Sequence, residues 1–101
     1  MRVLVLGLGQ YPKGSGVMAA LYVAKRGDEV LVVEPHYTPA MEKNIRRLQA
    51  YPNVRVITDH ITEKLLRGVD LLIRHQRIRE EEPLLVAARA KGIPIETELS
   101  L

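Results

Sequence analysis

The segment GLGQYPKGSGV (7–17) gathers Gly7, Gly9, Gly14 and Gly16 around Lys13 and Ser15, directly behind the apolar run Val3-Leu4-Val5-Leu6. Glycine-rich turns between a strand and a helix hold anions, because backbone N–H groups at the helix start face the ligand and no side chain keeps it away. A phosphate suits this composition. The N–H groups from Gly14 to Val17 would supply the geometry, Lys13 a mobile charge, and Gly16 room for close approach. An ATP-hydrolysing loop needs Gly-x-x-x-x-Gly-Lys followed by Ser or Thr, since that lysine reaches the outer phosphates and that hydroxyl holds magnesium. Gly9 and Gly14 have this separation, but Ser15 and Gly16 follow, so ATP hydrolysis is not expected. The dinucleotide pattern Gly-x-Gly-x-x-Gly begins at Gly7-Leu8-Gly9 but reaches Gly14 and Gly16 only after Gln10-Tyr11-Pro12-Lys13, which makes the loop a long variant. The competing explanation is a plain strand-to-helix turn whose glycines serve conformation and packing.

Two further groups of residues bear on a ligand. Glu34 closes a second apolar run, the position from which an acidic side chain can accept hydrogen bonds from a ribose, and His36 and Tyr37 follow it as base-stacking or loop residues. Arg74, His75 and Arg77 lie behind a later apolar run, and their guanidinium groups suit a diphosphate. The alternative is a solvated loop whose arginines pair with Glu80, Glu81 and Glu82. His60 reads as a surface residue. The three histidines lack metal-site spacing and there is no cysteine, so neither a metal site nor a disulfide is expected, and no catalytic constellation is apparent.

The elements that must position these residues follow from the hydropathy pattern. With 101 residues and 47% hydrophobic side chains, one compact domain over 1–101 is expected. The net charge of +3 is the balance of 15 basic and 12 acidic residues scattered along the chain, which speaks against a nucleic-acid partner. The first apolar stretch is too short for a leader or a membrane span, which points to a cytoplasmic protein. Short apolar runs alternate with helical patterns, as in a parallel sheet built from βα units. Strands are predicted near Val3–Leu6, Glu29–Val33, Val54–Thr58, Asp70–Ile73 and Ile93–Glu96. Helices are predicted from Val17 to a left-handed cap at Gly27, from Thr38-Pro39 through Met41, Ile45 and Leu48, over Thr62–Gly68, and from Glu82-Pro83 to Gly92. The acidic triplet 80–82 is expected to complement the positive end of the last helix. Repeated βα order and right-handed crossovers predict an α/β doubly wound, Rossmann-like sheet of order 3-2-1-4-5 with helices on both faces. Its ligand crevice would lie beyond strands 1 and 4, where the glycine loop and residues 73–78 meet.

VLVLGLG (3–9), VMAALYVAKRGDEVLVVE (17–34) and DLLIRHQRIREEEPLLVAARAKGIPIETEL (70–99) together resemble the N-terminal part of the Mur ligases of peptidoglycan synthesis, above all the D-glutamate-adding members. The tail carries the family's layout: a strand, a Ser-Pro-Gly-Ile turn, a proline-started helix and a Gly-Ile-Pro strand. The resemblance implies a domain that holds the UDP part of a UDP-muramoyl substrate. Phosphates would lie near the first loop, and the uracil side near the end of the second strand. Gly7, Gly9, Ser15 and Gly16 match the family's Gly-x-Gly-x-Ser-Gly pattern once the four inserted residues are removed, and Glu34 takes the acidic position. Ser-Pro-Gly is replaced by His75-Gln76-Arg77, so Arg77 either makes a new phosphate contact or fills the site. The family's central ATP-binding domain and C-terminal ligase domain are not in these 101 residues. The chain is therefore expected to be part of an ATP-dependent ligase or a free-standing domain that binds UDP or a UDP-sugar without catalysis. A domain that has lost UDP binding and acts through protein contacts, for example as a homo-oligomer, is the alternative.

Overall fold

The protein is described here by a computed structural model covering residues 1–9 and 14–97. Five strands form one parallel sheet: β1 (Arg2–Leu6), β2 (Glu29–Val33), β3 (Val54–Ile57), β4 (Leu71–Arg74) and β5 (Ile95–Thr97). Their order is β3-β2-β1-β4-β5, as the alternation of apolar runs predicts.

Valine, leucine and isoleucine dominate β1, β2 and β4 because both faces of these strands are covered. Val3, Val5, Val30 and Val32 face one way and pack with Val17, Ala20, Val23, Ile45 and Leu48. Leu4, Leu6, Leu31 and Val33 face the other way and pack with Leu66, Leu84, Leu85 and Ala88. Helices α1 (Ser15–Lys25) and α2 (Glu42–Gln49) thus cover the first face, and α3 (Pro83–Ala90) covers the second.

The predicted helices depart from expectation in two places. The second opens with a 3-10 turn at Pro39–Met41 before α2 begins. The third is a 3-10 turn, Glu63–Leu66, rather than an α-helix. Thr62 caps it by accepting the Lys64 N–H, and Arg67 is already extended (ψ 122°), which leaves too few residues for α-helical bonding.

Register is what matters for the site. Leu6 pairs with Val33 on one side and Arg74 on the other, so the next residues, Gly7, Glu34 and His75, stand in one row beyond the sheet. The ladder continues into that row. Gly7 N–H donates to the Val33 carbonyl (2.8 Å), His75 N–H to that of Leu6 (2.9 Å) and Glu34 N–H to that of Ile57 (2.9 Å). Strand order reverses between β2-β1 and β1-β4, where a crevice opens in a sheet of this kind.

Candidate functional site at the sheet's switch point

A cleft of about 230 Å³ lies on this row, lined by Gly7, Leu8, Gly9, Glu34, His36, Met41, His75, Arg77 and Ile78. It adjoins a second cleft of about 450 Å³, and the two share His36, Arg77 and Ile78. The first alone falls below the ~300–1,000 Å³ of ordinary small-molecule sites; the two together fall within that range.

The glycines divide the labour. Gly7 has φ +97°, and a Cβ there would lie 2.6 Å from the His75 Cβ and 3.0 Å from Ile78 Cγ1. It is the tight-turn glycine. Gly9 (φ +80°) leaves its surroundings open apart from His75 Nε2, 3.8 Å from where a Cβ would be. Gly16 differs from expectation. A Cβ on it would meet the Gly7 carbonyl oxygen at 2.6 Å, that of Leu8 at 2.7 Å and His75 Cδ2 at 2.9 Å. Gly16 therefore lets α1 close onto the β1 turn, and the space it saves is filled by protein. Gly7, Gly9 and Gly16 thereby take the three roles of the dinucleotide fingerprint: tight turn, open approach and helix packing. Gly14 is the N-cap of α1 in an extended conformation (φ −65°, ψ 152°), and its carbonyl accepts the Met18 N–H. Lys13 lies outside the described residues, as does the side chain of Ser15.

Glu34 is 4% exposed. Its Oε1 accepts the N–H groups of Leu8 (2.9 Å) and Gly9 (3.4 Å), and its Oε2 accepts that of His36 (3.0 Å). The carboxylate expected to face a ribose thus clamps the glycine turn to the end of β2; both acceptor sites of Oε1 are taken, and Oε2 retains one. Asn44 of α2, a residue sequence reasoning passed over, completes the clamp: it is buried and donates to the Gly9 carbonyl (3.1 Å). An asparagine on the inner face of an otherwise charged helix was the available signal.

Arg74, His75 and Arg77 separate. The guanidinium of Arg74 donates through Nε to the Ile78 carbonyl (3.1 Å) and through Nη1 to Glu80. It braces the loop and does not line the cleft. Glu80 also pairs with Arg89 of α3. Hydrogen bonds from Arg89 and then Arg74 hold the Glu80 carboxyl well below its ordinary value, at about 2. Of the acidic triplet, Glu80 therefore bridges β4 to α3, and Glu82 is the N-cap residue of α3, at the helix's positive end, where its side chain makes no capping hydrogen bond. His75 and Arg77 both line the cleft. His36 faces them from the β2 side, with its Nε2 3.6 Å from Glu82. His60 is exposed at φ +51° in the loop after β3, far out in solvent as expected. Among the described residues no group of three His, Asp or Glu side chains could hold a metal ion, and no helix is long and apolar enough to cross a membrane.

Fold and cleft together define a Rossmann-like α/β domain with its candidate site at the switch point. No family model matches the chain. Over 100 residues it is 37% identical to the UDP-N-acetylmuramoylalanine–D-glutamate ligase of Ligilactobacillus salivarius, an alignment covering 99% of this chain and 20% of that protein. Its counterpart from Exiguobacterium sibiricum is 35% identical, with 99% and 21% covered. Among solved structures, the UDP-N-acetylmuramate-alanine ligase MurC from Thermotoga maritima superposes with a TM-score of 0.72 at 26% identity, over 99% of this chain and 21% of that one. In sequence and fold the chain corresponds to the N-terminal domain of the Mur ligase family, and it spans about a fifth of the length of these relatives.

Proposed function

We propose that the chain binds a uridine diphosphate sugar in the switch-point cleft, as a cytoplasmic substrate-holding domain of peptidoglycan-precursor synthesis, and performs no chemistry by itself. The observation that carries this is the row Gly7, Glu34, His75, which brings an open glycine turn, a backbone-anchored carboxylate and a basic loop to one crevice. The relatives, named for UDP-muramoyl substrates, support the choice of nucleotide. Gly9 leaves space where a phosphate can approach the backbone, and the acceptor site left on Glu34 Oε2 suits a ribose or base donor.

Thermal unfolding of the chain with UDP, a UDP-sugar, ATP and NAD tests the reading. A ligand at 100 times its Kd stabilises by about 2.7 kcal/mol, and each kcal/mol moves the Tm of a domain this size by about 4–8 °C. UDP and the UDP-sugar should raise the Tm, and ATP and NAD should not. A flat response to UDP at millimolar concentration would overturn the proposal in favour of a domain working through protein contacts. Met18 (47% exposed) and Tyr22 (52% exposed), one turn apart on α1, would then be the apolar surface to examine.

A further inference from the structure

The loop after β4 carries His75-Gln76-Arg77 where the resembled family has Ser-Pro-Gly, and its hydrogen bonds give those side chains a defined chemistry. The backbone N–H of Arg77 donates to His75 Nδ1 (3.1 Å). An N–H can only donate, so Nδ1 is the acceptor, and neutral His75 carries its proton on Nε2. The ring is held in place: its Cδ2 edge lies against Gly16 and its Nε2 against Gly9, on the cleft side. No described residue bonds to Nε2, and it is absent from the polar atoms sealed without a partner.

Arg77 stands beside it, exposed at the rim where the two clefts join. Its arginine neighbours are committed, Arg74 and Arg89 to Glu80 and Arg79 to Glu81, whereas no described carboxylate pairs with Arg77. The one carboxylate lining the smaller cleft, Glu34, is already bonded to three backbone N–H groups. The loop is tied to the fold at both ends of this segment: Ile78 N–H closes a turn onto the His75 carbonyl (3.0 Å), Arg74 braces the Ile78 carbonyl, and Ile78 itself is buried.

We infer that His75 Nε2–H and the Arg77 guanidinium form an anion clamp that grips a phosphate of the ligand beside the glycine turn. The inference rests on the nucleotide-binding reading above and assigns the two residues a role in place of the family's small turn. A neutral N–H donor fixed in its tautomer and a guanidinium that no described carboxylate pairs with, although Glu81 and Glu82 line the larger cleft beside it, suit a phosphate monoester or diphosphate.

Calorimetric titration of the chain with UDP, uridine and inorganic pyrophosphate reads this directly. The chain should bind UDP more tightly than uridine. Arg77→Gly, at an exposed position, should weaken UDP roughly tenfold or more while leaving uridine unchanged. His75→Phe keeps a ring against the glycines but removes the donor, and should likewise weaken UDP alone. Arg77→Lys should recover part of the loss. Long-range proton–nitrogen NMR of the His75 imidazole should place the proton on Nε2, a readout independent of folding in the variants. Pyrophosphate that competes with UDP in the chain but not in Arg77→Gly would locate the clamp on the phosphates. Equal affinity for UDP and uridine in the unaltered chain, unchanged or tighter UDP binding in Arg77→Gly, or a proton on Nδ1 would each overturn the clamp while leaving nucleotide binding intact. Binding of neither UDP nor uridine by the unaltered chain would overturn both.

Discussion

Gly16 shows how one residue type can serve two incompatible explanations until its surroundings are known. Glycine near a phosphate loop is commonly read as space for a ligand, but here the hydrogen that replaces Cβ points at the carbonyls of Gly7 and Leu8. Gly16→Val should therefore destabilise the unliganded chain, by ~1–3 kcal/mol or more, because backbone cannot move aside as a flexible side chain would. Thermal unfolding without ligand checks this; an unchanged Tm together with lost UDP binding would restore the ligand-space explanation. Glu34 makes the same point with a charge. Truncating it to alanine leaves the buried Leu8 N–H without an acceptor, and a group of that kind costs ~1–3 kcal/mol. A lower Tm for Glu34→Ala in the absence of nucleotide is the expected outcome, and a Tm equal to that of the unaltered protein would reduce Glu34 to a ligand contact.

At the scale of elements, the join between β4 and α3 positions His75 and Arg77. Two fasteners hold it: the side chain of Ile78 among Leu4, Leu6 and Leu84, and the Arg74–Glu80–Arg89 bridge. Ile78→Ala removes buried volume at the base of the cleft and should cost ~2–5 kcal/mol, measured by chemical denaturation. The bridge is exposed and contributes through charge. Glu80 has its carboxyl lowered from an ordinary 4.5 to about 2 in the folded chain. A group depressed in this way stabilises fully above the unfolded value, and the contribution disappears as pH falls through the folded one. The Tm deficit of Glu80→Gln should accordingly be constant from neutral pH down to about 4.5 and shrink between there and about 2. Because the pair faces solvent, added salt should reduce it as well. A deficit independent of pH would mean that the side chain acts by packing alone.

For the whole molecule, the doubly wound sheet places every candidate ligand contact on one edge, the C-terminal ends of β1, β2 and β4. The crevice of such a sheet is open on one side, and phosphoryl transfer depends on positioning and charge from several sides. We expect the chain alone to release no phosphate from ATP and to join no amino acid to a UDP-sugar. Release above the blank that disappears when a residue of the cleft is mutated would contradict this.

Sequence by itself determined the architecture. Apolar runs with period-independent hydrophobicity, separated by helical stripes and glycine or proline stops, admit few arrangements other than a covered parallel sheet, because such runs must be buried on both faces. The strand Glu29–Val33, the third strand to within one residue (Val54–Thr58 expected, Val54–Ile57 observed) and the order of all five could be read in this way. The sequence also marked the glycine loop and residues 73–78 as meeting at the crevice and Glu34 as a strand-end carboxylate, since strand ends are visible as the points where apolar runs stop. Tertiary structure alone decided what each residue at those ends does. Whether Glu34 faces a ribose or the N–H groups of Leu8 and Gly9 depends on a contact spanning 26 positions, and whether Arg74 reaches a ligand or Ile78 depends on the loop's path. Hydropathy carries no information on either, because a carboxylate or guanidinium bonded to backbone and one offered to a ligand have the same composition and spacing. They differ only in where the folded chain puts the donors and acceptors around them.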